Sequence, residues 1–251
     1  MANLRDLLFG YGEGEKIEPG DFAVFDTNVD SGSNGGRCCL WTVPPGVSRA
    51  VFEIWSGGGG GGFGQCCQQG GAAGSGGYAI KSCSVSPGQQ FRICAASSTS
   101  CSSSNSGTGG NDSWVCSLGG GGESTWCASV QGGYETNQPV CCFAFGDCYT
   151  CCASCYCKGG CGRGCNVDLC IFGTTGGARR TQYCIDDGHQ YAGNAPFIPG
   201  PKIGPNGCCS WGGSCGTGTF PGGGGLSAQI YGGNCCCGGP GAGGLVYVLF
   251  Y

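Results

Sequence analysis

Thiols are the groups in this sequence best suited to chemistry. Cys148, Cys151, Cys152, Cys155, Cys157, Cys161, Cys165 and Cys170 fall within 23 residues, and C-x2-C spacings open the stretch. That spacing suits tetrahedral thiolate sites, as in zinc or iron–sulfur centres. The zinc pattern of two C-x2-C knuckles separated by a finger is absent. Other cysteines spread from Cys38 to Cys237, which favours structural disulfides and leaves thiolate–metal binding as the rival.

Several cysteines are neighbours in sequence: Cys38-Cys39, Cys66-Cys67, Cys141-Cys142, Cys151-Cys152, Cys208-Cys209 and the triplet Cys235, Cys236 and Cys237. Adjacent side chains on a strand point to opposite faces. In a threefold extended helix they point about 120° apart. Each member of such a set should therefore bond a different neighbour. We expect non-adjacent cysteines to pair, as staples between layers.

Other reactive groups are sparse. His189 is the one histidine, so a Ser/His or Cys/His pair would have to use it. Gly212-Gly213-Ser214-Cys215-Gly216 matches the nucleophile-elbow pattern, but His189 precedes Ser214 and no helix pattern flanks it. Asp186-Asp187-Gly188-His189 reads as a turn before it reads as a cation site. Runs such as Gly57 to Gly62 satisfy dinucleotide glycine patterns trivially, and no Gly-Lys-Ser/Thr loop follows them. Asn111-Asp112-Ser113 is a lone glycosylation sequon. The residues thus read as non-enzymatic, with no cofactor and no assigned catalytic or metal site.

The elements that must carry these groups have an unusual composition. Gly supplies 58 of 251 residues and Cys 26, against ordinary Gly usage of about 7%. Nearly a quarter of the chain has no side chain to bury, so a hydrophobic core alone is a weak source of stability. Disulfides compensate at about 2–4 kcal/mol each. This cysteine density belongs to an oxidising compartment. Yet Met1 to Phe9 runs straight into Gly and charge, so no secretory signal is expected. Exit by lysis, as for a phage particle, reconciles the two; a removed signal or special export route, and reduced thiols that bind metal, are the alternatives.

Charge is low and uneven. The net charge is −4, and residues 1–30 hold seven acids against two bases, Arg5 and Lys16. No basic surface for nucleic acid is expected. The longest apolar run, Leu245 to Tyr251, is too short to span a membrane.

The pattern along the chain is all-β with little helix. Asn3 to Phe9 is the one short helix expected. Strands are expected over Asp21 to Asp26, Ser48 to Trp55, Tyr78 to Val85 and Gln90 to Ala95, while Trp114 to Cys116 and Trp126 to Val130 bracket the glycine run Gly119 to Gly122. Leu245 to Tyr251 reads as a fully buried strand. Ser86-Pro87-Gly88-Gln89 predicts a hairpin turn, which would bring Cys83 opposite Cys94. Ser97 to Gly110 and Asn194 to Gly207 read as exposed loops. Residues 1–36, free of Cys, form an expected docking segment, and residues 37–251 a glycine- and cysteine-rich β domain. That domain is expected to be a β sandwich with packed, polyproline II-like glycine segments, stapled by disulfides.

The succession Trp41-Thr42-Val43-Pro44-Pro45-Gly46-Val47 through Ile54-Trp55-Ser56, the polyglycine run, Gly76-Gly77-Tyr78-Ala79-Ile80 and Val85-Ser86-Pro87-Gly88-Gln89 resembles a glycine-rich domain of phage tail fibres and virion surface proteins. Gly238-Gly239-Pro240-Gly241-Ala242-Gly243-Gly244-Leu245-Val246-Tyr247-Val248 is similar to that family's closing strand. The resemblance implies a virion location, packed polyglycine, a homo-oligomer with a trimer favoured, and structural or host-adhesion roles. Residues 1–36 would meet other virion proteins, and loops a host-surface receptor. A capsid decoration or extracellular filament is the structural alternative, and a cysteine-rich metal-binding protein the other.

Overall fold

The computed structural model describes residues 21–26, 37–62, 72–100, 107–119, 125–134, 166–178, 189–198, 203–205, 216–226 and 238–251. Among these there is no helix, and the fold is all-β. The strands are β1 (Phe22–Asp26), β2 (Arg37–Thr42), β3 (Arg49–Trp55), β4 (Tyr78–Ser84), β5 (Gln90–Ala95) and β6 (Ser113–Ser117). They continue as β7 (Cys127–Val130), β8 (Leu169–Ile171), β9 (Gly177–Ala178), β10 (His189–Tyr191), β11 (Ile203–Pro205) and β12 (Leu245–Phe250). The expected helix over Asn3 to Phe9 lies outside the described residues.

Two antiparallel sheets face each other. One runs β1-β12-β3-β4-β8, the other β2-β5-β6-β7, and a small third sheet runs β11-β10-β9. Period-two alternation builds the core between the first two. Ala50, Phe52 and Ile54 of β3 and Val246, Val248 and Phe250 of β12 point inward. Trp41, Phe91, Ile93, Val115 and Val130 meet them from the other sheet. Phe52 lies at the centre, 5.1 Å from Phe91 and 5.9 Å from Trp41 between ring centroids. β12 is half-covered on its outer face, so it is not the fully buried strand its composition suggested.

The expected hairpin is a corner instead. β4 and β5 belong to opposite sheets, and Pro87-Gly88 carries the chain across. Pro45-Gly46 does the same between β2 and β3. Both glycines adopt a left-handed backbone, φ +83° at Gly88 and +84° at Gly46, which other residues adopt at a cost. The corners sit side by side: Val43 N–H donates to Gln89 O (2.9 Å) and Gly88 N–H to Val43 O (2.9 Å). Ala79 and Cys83 of β4 and Phe91, Ile93 and Ala95 of β5 pack on the same core from facing layers.

Beyond the strand ends the chain continues as buried glycine segments. Residues 56–62, 72–77 and 221–226 are buried throughout. Gly57 and Gly60 donate to Asn111 and Thr108, Gly58 and Gly61 to Ala242 and Gly239, and Gly59 to Gly74. The partner segment recurs every third residue and runs antiparallel. The same holds next door: Ala73 and Gly76 donate to Gly225 and Gly222, Gly74 and Gly77 to Tyr134 and Gln131, and Ser75 to Thr174. Buried hydroxyls tie this layer to the sandwich. Ser113 Oγ donates to Trp55 O (2.7 Å) and accepts from Ala96 N (2.9 Å). Ser75 Oγ donates to Asn194 O (2.6 Å) and accepts from Thr174 N (2.8 Å).

A Cβ on Gly58 would strike the backbone of Gly222 and Gly223, and one on Gly241 the backbone of Gly58 and Gly59. Backbone held in such a layer cannot yield cheaply. Gly58→Ala should therefore destabilise by about 3 kcal/mol or more. Gly109→Ala, where the added carbon meets nothing within 4 Å, should be nearly neutral. Chemical denaturation of the two variants checks the contrast, and equal midpoints would contradict it.

Candidate functional site

The described thiols lie on the four-stranded sheet and on β4 and β8. Register places Cys38 opposite Cys94 between β2 and β5, and Cys116 opposite Cys127 between β6 and β7. Both pairs are disulfides, with Cα atoms 4.0 Å apart. Trp41, Phe91, Ile93 and Val115 point into the core, so alternation turns these four cysteines to the outer face. One row across that face is Cys38, Cys94, Trp114; the next is Leu40, Arg92, Cys116, Cys127. The Arg92 guanidinium sits 6.0 Å from the Trp114 ring centroid, bridging the rows.

This corrects two sequence expectations. Cys94 bonds Cys38 and not Cys83, because β4 and β5 are in different sheets. The two described staples join neighbouring strands of one sheet on its outer side and do not cross between layers. Opposed positions on paired strands are already at bonding distance, whereas the sheets are about 10 Å apart. Cys39, next to the bonded Cys38, is a half-buried thiol. Both observed bonds thus join cysteines distant in sequence.

Cys116 and Cys127 were not singled out from sequence. Their signal was available, since they sit in the two strands that bracket Gly119 to Gly122. Each disulfide restrains the unfolded chain, worth about 2–4 kcal/mol.

The other sequence candidates distribute as follows. Cys83 and Cys170 pack half-buried against the core from β4 and β8. Cys66, Cys67, Cys141, Cys142, Cys148, Cys151, Cys152, Cys155, Cys157, Cys161, Cys165, Cys208, Cys209 and Cys235 to Cys237 lie outside the described residues, as do Ser214, Asp186 and Asp187. His189 pairs with Pro205 in the small sheet. Among the described residues no three His, Cys, Asp or Glu side chains converge.

The expected loops are partly built into the glycine layer. Ser97 and Thr99 are buried. Thr99 N–H donates to Gly241 O (3.2 Å), and Gly241 N–H donates to Thr99 Oγ1 (2.7 Å). The sequon is likewise occupied: Asn111 Nδ2 donates to Ser97 Oγ (2.8 Å), and Ser113 is fully buried. In the second loop Phe197 is exposed, while Pro196 O accepts from Trp55 Nε1 (3.0 Å).

Two polar pairs serve the strands. Lys81 Nζ meets Asp168 Oδ1 at 2.9 Å, and Asp168 Oδ2 accepts from Ser82 N (2.6 Å), fastening β8 to β4. Lys81 also lies 5.7 Å from the Trp126 ring centroid. On the opposite face, buried Tyr78 donates to Glu53 Oε2 (3.2 Å). Burial pushes the Tyr78 phenol well above the ordinary tyrosine range, and the Glu53 charge and hydrogen bond push the same way.

A scan against protein-family models finds no match, and a search of curated proteins finds no similar chain. What the arrangement can do follows from its own chemistry. The described residues present two disulfides and an Arg–Trp pair on the outer face of the four-stranded sheet.

Two outcomes follow. Alkylation in denaturant without reductant should modify Cys39 and spare Cys38, Cys94, Cys116 and Cys127; peptide mass spectrometry reads this, and labelling of any of the four would contradict the pairing. The Tyr78 contribution is fully present below about pH 10, where the unfolded phenol is protonated too. As pH rises further the unfolded chain releases a proton that the folded chain keeps, so stability falls by up to about 1.4 kcal/mol per pH unit. Tyr78→Phe should lose that one-proton slope, measured by denaturation at several alkaline pH values. Identical slopes in the two proteins would contradict it.

Proposed function

We propose that this protein is a structural component of a virion, a tail-fibre or other surface-fibre subunit of a bacteriophage, and that it performs no catalysis. The observation that carries this reading is the buried glycine layer with its threefold recurrence of hydrogen-bond partners. Three residues per turn is the period of a polyproline II helix, and only glycine lets such helices touch on every side. We read the segments as glycine helices of that type.

A body cross-linked through its backbone and faced with disulfides suits a part that must keep its shape outside a cell. The resemblance of residues 41–56, 76–80, 85–89 and 238–248 to the glycine-rich domain of phage fibres supports the same reading. Residues 1–36 would join it to other virion proteins. Exposed loop positions such as Phe197 would offer contact to a host surface, since recognition concentrates on loops carried by a rigid scaffold.

The test is location. Mass spectrometry of purified particles should find the chain in stoichiometric amount, and gold-labelled antibody should decorate a fibre or the particle surface. Detection only in the soluble cell fraction, with particles free of it, would refute the proposal.

A further inference from the structure

β1 ends the five-stranded sheet, and among the described residues its outer edge is open. Phe250 N–H donates to Asp21 O (3.1 Å), which makes Asp21 and Phe250 a hydrogen-bonded pair. In an antiparallel ladder such pairs alternate. The register Phe22↔Leu249, Ala23↔Val248, Val24↔Tyr247 then turns the backbone of Ala23 and Phe25 toward β12. Phe22, Val24 and Asp26 turn their N–H and C=O groups away from it. Among the described residues nothing pairs with those groups.

Native edge strands are usually blunted by Lys, Pro or a bulge. β1 has none of these. Up to its last residue, Asp26, it is apolar on both faces: Ala23 and Phe25 pack on the core, while Phe22 is 63% and Val24 48% exposed. Phe22 stacks on Tyr247 at 5.5 Å, extending the apolar strip onto β12.

We infer that β1 pairs antiparallel with β1 of a second copy of this chain, about a twofold axis through Val24. The strand is complementary to itself in that register alone. Val24 meets Val24, and Phe22 meets Asp26 of the other copy. These are the residues whose backbone groups point outward, so each such pair exchanges two N–H···O bonds and no outward group of β1 is left over. Between them, Ala23 of each copy meets Phe25 of the other, small against large on the core side. The two Asp26 carboxylates lie at opposite ends and do not confront each other. Twofold pairing of one patch with itself is the commonest closed symmetry. The two five-stranded sheets become one continuous sheet, and the Phe22–Val24–Tyr247 strips join across the axis. The resemblance favours a trimer, whereas this edge specifies a pair.

The test uses the full chain. Light scattering after size exclusion should give twice the mass of one chain. Val24→Lys, which sets two ammonium groups face to face at the axis, should give single chains that still unfold cooperatively, at a thermal midpoint that no longer rises with protein concentration. Val24→Pro removes an N–H that points away from β12 and should do the same. Wild-type single chains up to the solubility limit, or a mass of three chains, would overturn the inference. So would a Val24→Lys protein that keeps the doubled mass, or one that is unfolded, since an open edge position tolerates lysine.

Discussion

A peptide group removed from water must find another partner, and leaving it alone costs about as much as a lost hydrogen bond or more. In an ordinary domain helices and sheets settle this internally and side chains fill the interior. Here long stretches of bare backbone form the interior themselves. Gly57 to Gly61 are buried, and each gives its N–H to a segment distant in sequence. The order of those donations demands that residues 72–77, 107–111 and 238–244 be present, antiparallel and close. Closeness forbids any side chain, which is why Gly58 and Gly241 abut backbone directly. The sandwich and its corners hold these segments at the required spacing.

The molecule therefore has two interiors of different kinds. One is apolar and centred on Phe52, Phe91 and Trp41. The other is polar, nearly free of side chains and satisfied by backbone. They meet at the ends of β3 and β12, where Ser56, Ser113 and Gly244 follow or flank the strands. Small hydroxyls mark the join: Ser113 bonds both Trp55 O and Ala96 N. A larger residue at that join would have to displace backbone on either side. The two described disulfides belong to neither interior and reinforce one sheet from outside.

Much of the strand pattern was legible. Residues 22–26, 49–55, 78–84, 90–95 and 245–250 alternate or run apolar between Gly and Pro signals, and each is a strand. The corner at Pro87-Gly88 was not legible as a corner. A turn signal marks where the chain reverses, and the choice between a neighbouring strand and a facing layer depends on what β2 and β3 already occupy. The Cys38–Cys94 bond follows from that choice. Cys116–Cys127 was closer to readable, since its strands bracket one glycine run. The Tyr78–Glu53 and Lys81–Asp168 pairs depend on register across strands distant in sequence, and nothing local marks them.

The placement of the sulfurs bears on when the cross-links can form. Because Cys38, Cys94, Cys116 and Cys127 stand on the outer face of their sheet, closing or opening either bond requires no passage through the core. Register alone already holds each pair of thiols opposite one another. Folding and oxidation are thus separable in time. For these two bonds, pairing of the strands can come first and the cross-link afterwards.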